Sequence, residues 1–275
     1  MSLSPTRFVS LHTAILAAVA LLVVANSAVA ASIFSYDFDD FSNGSTPPGM
    51  NLVGNAVITD DPGGGFFDQR LRLTFAAGGQ NRSGWRSGLD LARFGFDTTF
   101  TFQISFQGGG GADGFSFNAQ SLGNSINVGE TGPGPGSLTV SFDMFQNAGD
   151  PSDNFIRIYS NGNDIAARNL YSDGINMSDG SVHTARVIYA PGDLDVIVDG
   201  ITVLSNVNVD LNTAGALVFD DLTYLGFGGR TGGAVQNHDI LTWNYTAVPE
   251  PSSIVLAGCA ALGLLAFARL RITRR

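Results

Sequence analysis

The chain has 275 residues and fourteen basic side chains, all arginine, against twenty-four acidic ones, a formal net charge of −10. Five of those arginines lie in the two ends, so residues 31–247 hold nine arginines against twenty-two aspartates and one glutamate, or about −14. That balance excludes nucleic acid and anionic membrane as partners, because both need a basic footprint. In chain order, Arg7 and His12 precede an apolar run, Ala14 to Ala25, and a small-x-small site, Ala28-Val29-Ala30. These are the parts of a secretory signal peptide cleaved after Ala30, residues 1–30. From 31 to 247 no apolar period of 3.6 is sustained, and alternation predicts strands instead. Leu71, Leu73 and Phe75 share one face of a strand, as do Phe100, Phe102, Ile104 and Phe106, and Leu138, Val140, Phe142 and Met144. A looser strand runs through Phe155, Ile156 and Ile158. Strands at 187–190 and 194–198 flank Pro191-Gly192-Asp193, and Asp199-Gly200 turns into another at 201–204. About a dozen short strands between Gly, Asn, Asp and Pro turns predict an all-β sandwich. The only cysteine, Cys259, lies beyond this region, which therefore has neither disulfide nor thiol chemistry. A region of this size buries roughly 70% of its unfolded surface and needs no staple.

The C-terminal stretch, 248–275, is different. Val248-Pro-Glu-Pro251 leads into an apolar helix, Ile254 to Ala268, and then Arg269, Arg271, Arg274 and Arg275. The run is short against the roughly 20 residues of a usual span, and the arginines place that end in the cytoplasm. Read alone, it is a one-helix membrane anchor.

Oxygen chemistry concentrates in Leu138-Thr-Val-Ser-Phe-Asp-Met-Phe-Gln-Asn-Ala-Gly-Asp-Pro151. Asp143, Asp150, the Asn147 amide and the Phe145 carbonyl form a hard donor set of the kind calcium takes. Two carboxylates so close repel unless a cation lies between them. An ordinary Asp/Asn-rich turn is the alternative. The glycines at 108–111 are not a nucleotide loop, since neither Gly-Lys-Ser/Thr nor a helix follows. Two distant histidines, His183 and His238, are too few and too scattered for zinc and are read as structural, although His238 could border the ligand loop.

Four segments in this order resemble the L-type (legume-like) lectin family: Ala112-Asp-Gly-Phe115; the Phe142-Asp-x-Phe-x-Asn…Asp-Pro151 loop; Gly226-Phe-Gly-Gly-Arg-Thr-Gly232; and His238…Trp243-x-Tyr245. The likeness spans about residues 35 to 246. It implies a concanavalin-like jelly roll of two large antiparallel sheets, with the sugar held by Asp113, Asn147, an amide from Gly129 or a neighbour, and an aromatic platform at Phe145 or a side chain near Arg230. It also implies a cis peptide at Ala112–Asp113, and calcium held by Asp143, Phe145 (carbonyl), Asn147 and Asp150, with Asp153 as a substitute ligand. Plant members have a glutamate and a histidine for a second metal where this chain has Ser141 and Phe155, so calcium alone is expected. The tail resembles the PEP-CTERM sorting signal, which implies an exosortase partner, transient inner-membrane anchoring through 254–268, and a Gram-negative cell-surface or extracellular location.

Carboxylate chemistry suits a sugar, since an ionised group accepts short bonds from adjacent hydroxyls. An aromatic face covers the apolar side of the ring. Hydrolysis is a different matter. Retaining glycosidases need two carboxyl groups about 5–5.5 Å apart, and hydrolases that share the jelly roll present them on a Glu-x-Asp-x-Glu strand. Here Glu130, in a Gly-Pro loop, is the only glutamate before the tail. The only aspartates at i, i+2 on a predicted strand, Asp193 and Asp195, flank a hairpin. The expectation is a non-enzymatic, calcium-dependent exported lectin for cell-surface or matrix polysaccharide; the alternative is a surface scaffold that has lost sugar binding.

Overall fold

The computed structural model describes residues 33–60, 68–108, 110–219 and 221–248; the expected signal peptide and sorting tail lie outside the described residues. Among the described residues, sixteen strands form two eight-stranded antiparallel sheets. The first sheet contains β1 (Ile33–Asp37), β3 (Val57–Thr59), β4 (Arg70–Thr74), β7 (Phe96–Gly108), β12 (Val182–Ala190), β13 (Asp193–Val198), β14 (Ile201–Val207) and β16 (Val235–Ala247). Its order is β14-β13-β12-β7-β16-β4-β3, with β1 on β16. The second contains β2 (Met50–Val53), β5 (Asn81–Arg86), β6 (Asp90–Leu91), β8 (Gly114–Gln120), β9 (Ser137–Asp143), β10 (Phe155–Ser160), β11 (Asn163–Asn169) and β15 (Leu222–Arg230). Its order is β11-β10-β9-β8-β15-β5-β2, with β6 on β15. No helix among the described residues is long and apolar enough to cross a membrane.

The period-2 pattern explains which side chains enter the core. On β12, His183, Ala185, Val187 and Tyr189 are buried while their neighbours are more exposed, and on β13 Leu194, Val196 and Val198 repeat the pattern. Asp199 and Gly200 both have positive φ, 51° and 79°, which is the primed turn that joins Val198 to Ile201 with the correct twist. Aromatic rings join the two sheets. Phe100 of β7 reaches across to Phe227 at 5.0 Å and Phe142 at 5.6 Å, and Phe115 stacks on Phe142 at 4.6 Å.

Alternation fails at two expected core positions. Phe75 lies past the end of β4 and is half-buried, with the Arg72 and Arg82 guanidinium groups each 5.1 Å from its ring. Phe106 is 46% exposed, although Phe100, Phe102 and Ile104 on the same strand are fully buried. The pairing of β16 with β7 shifts register between Val235↔Gly108 and Asn237↔Ser105, and Phe106 has φ 54°. A bulge takes up one residue and turns the ring to the other side.

The histidines are structural. His183 bridges Asp199 (2.7 Å) and Asp179 (3.2 Å), tying the β13–β14 turn to the loop before β12. His238 is fully buried, with Nδ1 2.7 Å from Thr74 Oγ1. Thr74 Oγ1 donates to the Gln236 carbonyl, which leaves it to accept from Nδ1–H and fixes a neutral tautomer.

Candidate functional site

Three strand ends meet at one place. In register, Gly114 at the start of β8 lies opposite Asp143 at the end of β9 and opposite Arg230 at the end of β15. The peptide before it, Ala112–Asp113, is cis. Main-chain bonds hold Asp113 on both sides: its N–H donates to the Arg230 carbonyl (3.0 Å), and its carbonyl accepts from Met144 N–H (2.9 Å). Gly114 has φ 154°, and a Cβ there would overlap the Phe142 carbonyl and lie 3.1 Å from the Asp143 Cα. Only glycine lets the two chains come this close.

The Asp113 carboxylate is not alone. Arg230 Nε donates to its Oδ2 (3.0 Å) while Arg230 Nη2 donates to Glu130 Oε1 (2.7 Å). Glu130 is only 3% exposed, and its other oxygen has no hydrogen-bond partner among the described residues. Burial pushes its carboxyl above the usual range, against the pull of Arg230. Gly129 packs on the same arginine: a Cβ on it would lie 3.1 Å from the Arg230 Cβ. The Gly129 carbonyl accepts from Ser116 Oγ (2.7 Å), which pins the 129–136 loop to β8.

The oxygen-rich loop follows β9. Asp143 is 5% exposed and accepts from Phe145 N–H (3.0 Å). Its carboxyl is pushed up to about 7, first by burial and then by the negative charges of Glu130 and Asp150. A buried carboxylate so poorly compensated fits a cation beside it. Asp150 Oδ2 accepts from Asn147 N–H (2.8 Å), and Asp150 N–H donates back to the Asn147 carbonyl (3.1 Å). Asn147 is exposed, and Phe145 is 38% exposed, so the amide and the aromatic face are open to a ligand. No group of three or more His, Cys, Asp or Glu side chains among the described residues is gathered to hold a metal. Calcium would therefore rest on two carboxylates, Asp143 and Asp150, with neutral oxygens from Phe145 and Asn147. Asp153 is not brought in: it is exposed, and its partner is Tyr171.

Where a second metal would need a glutamate and a histidine, the register sets Ser141 opposite Arg157 and Phe155 opposite Asp143. Arg157 Nη1 lies 2.8 Å from Asp150 Oδ1, and its Nε lies 3.0 Å from Asp164, close enough for an ion pair though not aligned as a hydrogen bond. The guanidinium also covers the Phe155 ring at 4.8 Å. A fixed cation thus accompanies Asp150.

The structure draws Asp113, Gly129 and Arg230 into one cluster, and Asp143, Phe145, Asn147 and Asp150 into one loop next to it. Two residues of the site, Glu130 and Arg157, escape sequence reasoning. Glu130 stands out in the sequence as a solitary glutamate, but its residue type points first to a hydrolase acid. Arg157 is in phase with Phe155 on a strand, and that is the available signal.

The legume lectin domain matches residues 34–256 of the chain. No curated protein matches it by sequence. Among solved structures it is similar to peanut lectin bound to a nine-residue peptide, at 21% identity over 80% of this chain and 98% of that one, with a TM-score of 0.61. A Bauhinia forficata lectin in complex with GalNAc matches at 22% identity over 79% and 99%, also at 0.61. The lumenal domain of VIP36 in its calcium- and mannose-bound form matches at 15% identity over 74% and 85%, at 0.56. The two-sheet jelly roll is common to all of them, and the domain match spans most of the chain: this protein belongs to the legume lectin domain family.

Proposed function

We propose that the protein is an exported, calcium-dependent lectin that binds cell-surface or matrix polysaccharide and is not an enzyme. The observation that carries this reading is the coupling of Asp113 to the oxygen-rich loop. Gly114 and Asp143 are register partners, and the Met144 amide on the Asp113 carbonyl ties the sugar carboxylate to the strand end that begins the loop. Asp143, Asp150, Asn147 and the Phe145 carbonyl would hold calcium, which when bound supplies positive charge beside the buried Asp143, as Arg157 does beside Asp150. Asp113 accepts sugar hydroxyls, Asn147 adds an amide, Gly129 a main-chain donor, and Phe145 an apolar face. The family's carbohydrate-binding fold, a neighbour bound to GalNAc and another bound to calcium and mannose support the same reading. Export rests on the signal-peptide pattern at 1–30, and delivery to the surface of a Gram-negative cell on the PEP-CTERM-like tail, on which an exosortase would act.

One observation favours a second reading, a surface scaffold without sugar binding: Arg230 already occupies one oxygen of Asp113. A similar structure, arcelin-5, is described as a lectin-like defense protein. A glycan array probed in millimolar calcium and again with chelator separates the two. Binding that disappears with chelator and in Asp113→Ala supports the lectin; a folded protein that binds nothing in calcium is the scaffold.

A further inference from the structure

We infer that Arg230 makes this a site for acidic sugars, with a hexuronic acid residue as its ligand. The inference rests on the lectin reading and names its substrate class. A bare carboxylate in this position would present two acceptors and select two adjacent hydroxyls that both donate. Asp113 does not present that pattern. Its Oδ2 is taken by Arg230 Nε, and Arg230 Nη2 is taken by Glu130, so the arginine is held at two points by a buried and a half-buried acid.

Two groups remain for a ligand. One is Asp113 Oδ1, which lies beside Gly232; a Cβ there would sit 3.3 Å from that oxygen, and a Cβ on Gly233 would meet nothing within 4 Å. Absence of side chains at both positions leaves the oxygen open. The other is Arg230 Nη1: the hydrogen bonds of this arginine to Asp113 and Glu130 are made by Nε and Nη2, and its side chain is 48% exposed. A ligand therefore meets an acceptor and, on the arginine bonded to the same carboxylate, a cationic donor. The complementary sugar has a hydroxyl next to a strong acceptor. In a hexuronic acid the 4-hydroxyl neighbours the carboxylate on C5, so the hydroxyl donates to Asp113 Oδ1 and the carboxylate accepts from Nη1.

Hydrogen bonds between guanidinium and carboxylate are among the strong ones, and Nη1 keeps its donors when Nε and Nη2 are taken, which an ammonium group held at two points would not match in geometry. The net negative charge of the molecule opposes an anionic ligand only weakly at physiological salt, where charges beyond about 8 Å are screened. Asp113 and Glu130, in contact with Arg230, also oppose it at short range, so recognition rests on the hydrogen bond that Nη1 gives and not on net charge. Glu130 is then a positioning residue, because it holds the guanidinium from below without reaching the ligand.

The test is calorimetric titration of the full-length protein in millimolar calcium with three oligosaccharides of equal length. They are a tri-uronate, the same trisaccharide with its carboxyls reduced to hydroxymethyl groups, and the reduced form carrying a sulfate ester. The tri-uronate should bind about tenfold or more tightly than the reduced form, the worth of one added charge-assisted hydrogen bond. Arg230→Gln should bring that ratio close to one, and Arg230→Lys should retain part of it. Equal or tighter binding of the reduced form, a ratio unchanged in Arg230→Gln, or preference for the sulfate ester would each overturn the inference. Should Arg230→Gln lose every ligand, the ratio in Arg230→Lys decides: full retention overturns the inference, partial retention supports it. Binding of neutral glycans alone on an array sinks this inference and leaves the lectin standing, whereas a folded protein that binds no glycan sinks both.

Discussion

Asp143 is the residue on which the proposed calcium dependence is tested without a sugar. Its folded carboxyl titrates near 7 against 3.8 for the free group. The folded state therefore holds the proton more tightly, and the stability this contributes is complete below about pH 4 and lost as pH rises through 7. Without calcium, Asp143→Asn should be more stable than the parent at pH 8, by at most about 4 kcal/mol, since each tenfold change in proton affinity is worth about 1.4 kcal/mol. The gap should close towards pH 4. Calcium should reverse the order at pH 8, because only the parent carboxylate gains from it. Chemical denaturation of both proteins with and without chelator checks this. His238 works in the opposite sense. Burial, with the Arg72 charge second, lowers its pKa from 6.5 to about 3. Its contribution is complete above 6.5 and declines as pH falls towards 3, since only the unfolded chain takes up the proton. The two windows overlap, so the parent profile conceals both. In an Asp143→Asn background, stability should fall from pH 6.5 to 4, and His238→Leu should flatten that slope whatever constant cost it adds.

Glycine at the β8–β9 join shows how an element places two residues at once. Asp113 precedes the start of β8 and Asp143 closes β9, and nothing but Gly114 separates their backbones. Gly114→Ala should cost on the order of 2 kcal/mol or more through overlap and strained φ. It should also weaken calcium and sugar together, unlike Asp113→Ala, which should abolish sugar binding and leave calcium affinity within a few-fold. Titration of both ligands against both variants separates the element from the residue. Strand alternation was legible on β7, and so were strands at 187–190 and 194–198 with the two hairpin turns after them; on β9 every residue is buried, because its polar face is covered as well. The exposure of Phe106 was not legible, because a bulge depends on how the partner strand β16 registers, and the local pattern on β7 contains no trace of it.

At the scale of the whole molecule, stability rests on packing between the sheets, since the described domain has no cysteine. Phe100 touches Phe115, Phe117, Phe142 and Phe227 across the sandwich, all of them buried. Phe100→Ala should cost about 3–5 kcal/mol, the transfer of a ring plus the cavity left behind, seen as a lower denaturation midpoint with an unchanged slope. Calcium in large excess should add stability by mass action, about 2.7 kcal/mol at a hundred times its Kd.

The fold class, the strand faces, the hairpin turns and the order of the four family motifs were all legible in the sequence. Each is a local property: side-chain alternation, turn chemistry and spacing survive without knowledge of the partner strand. The candidate ligands Asp143, Phe145, Asn147 and Asp150 were legible for the same reason, as neighbours on one loop. Only the tertiary structure showed that Glu130, from a separate loop, reaches the same Arg230 that holds Asp113, and that Arg157 stands beside Asp150. The first contact joins residues a hundred apart in the chain and the second depends on how β10 registers against β9, so their charge and hydrogen bonding are set by burial and strand register, which emerge when the second sheet assembles.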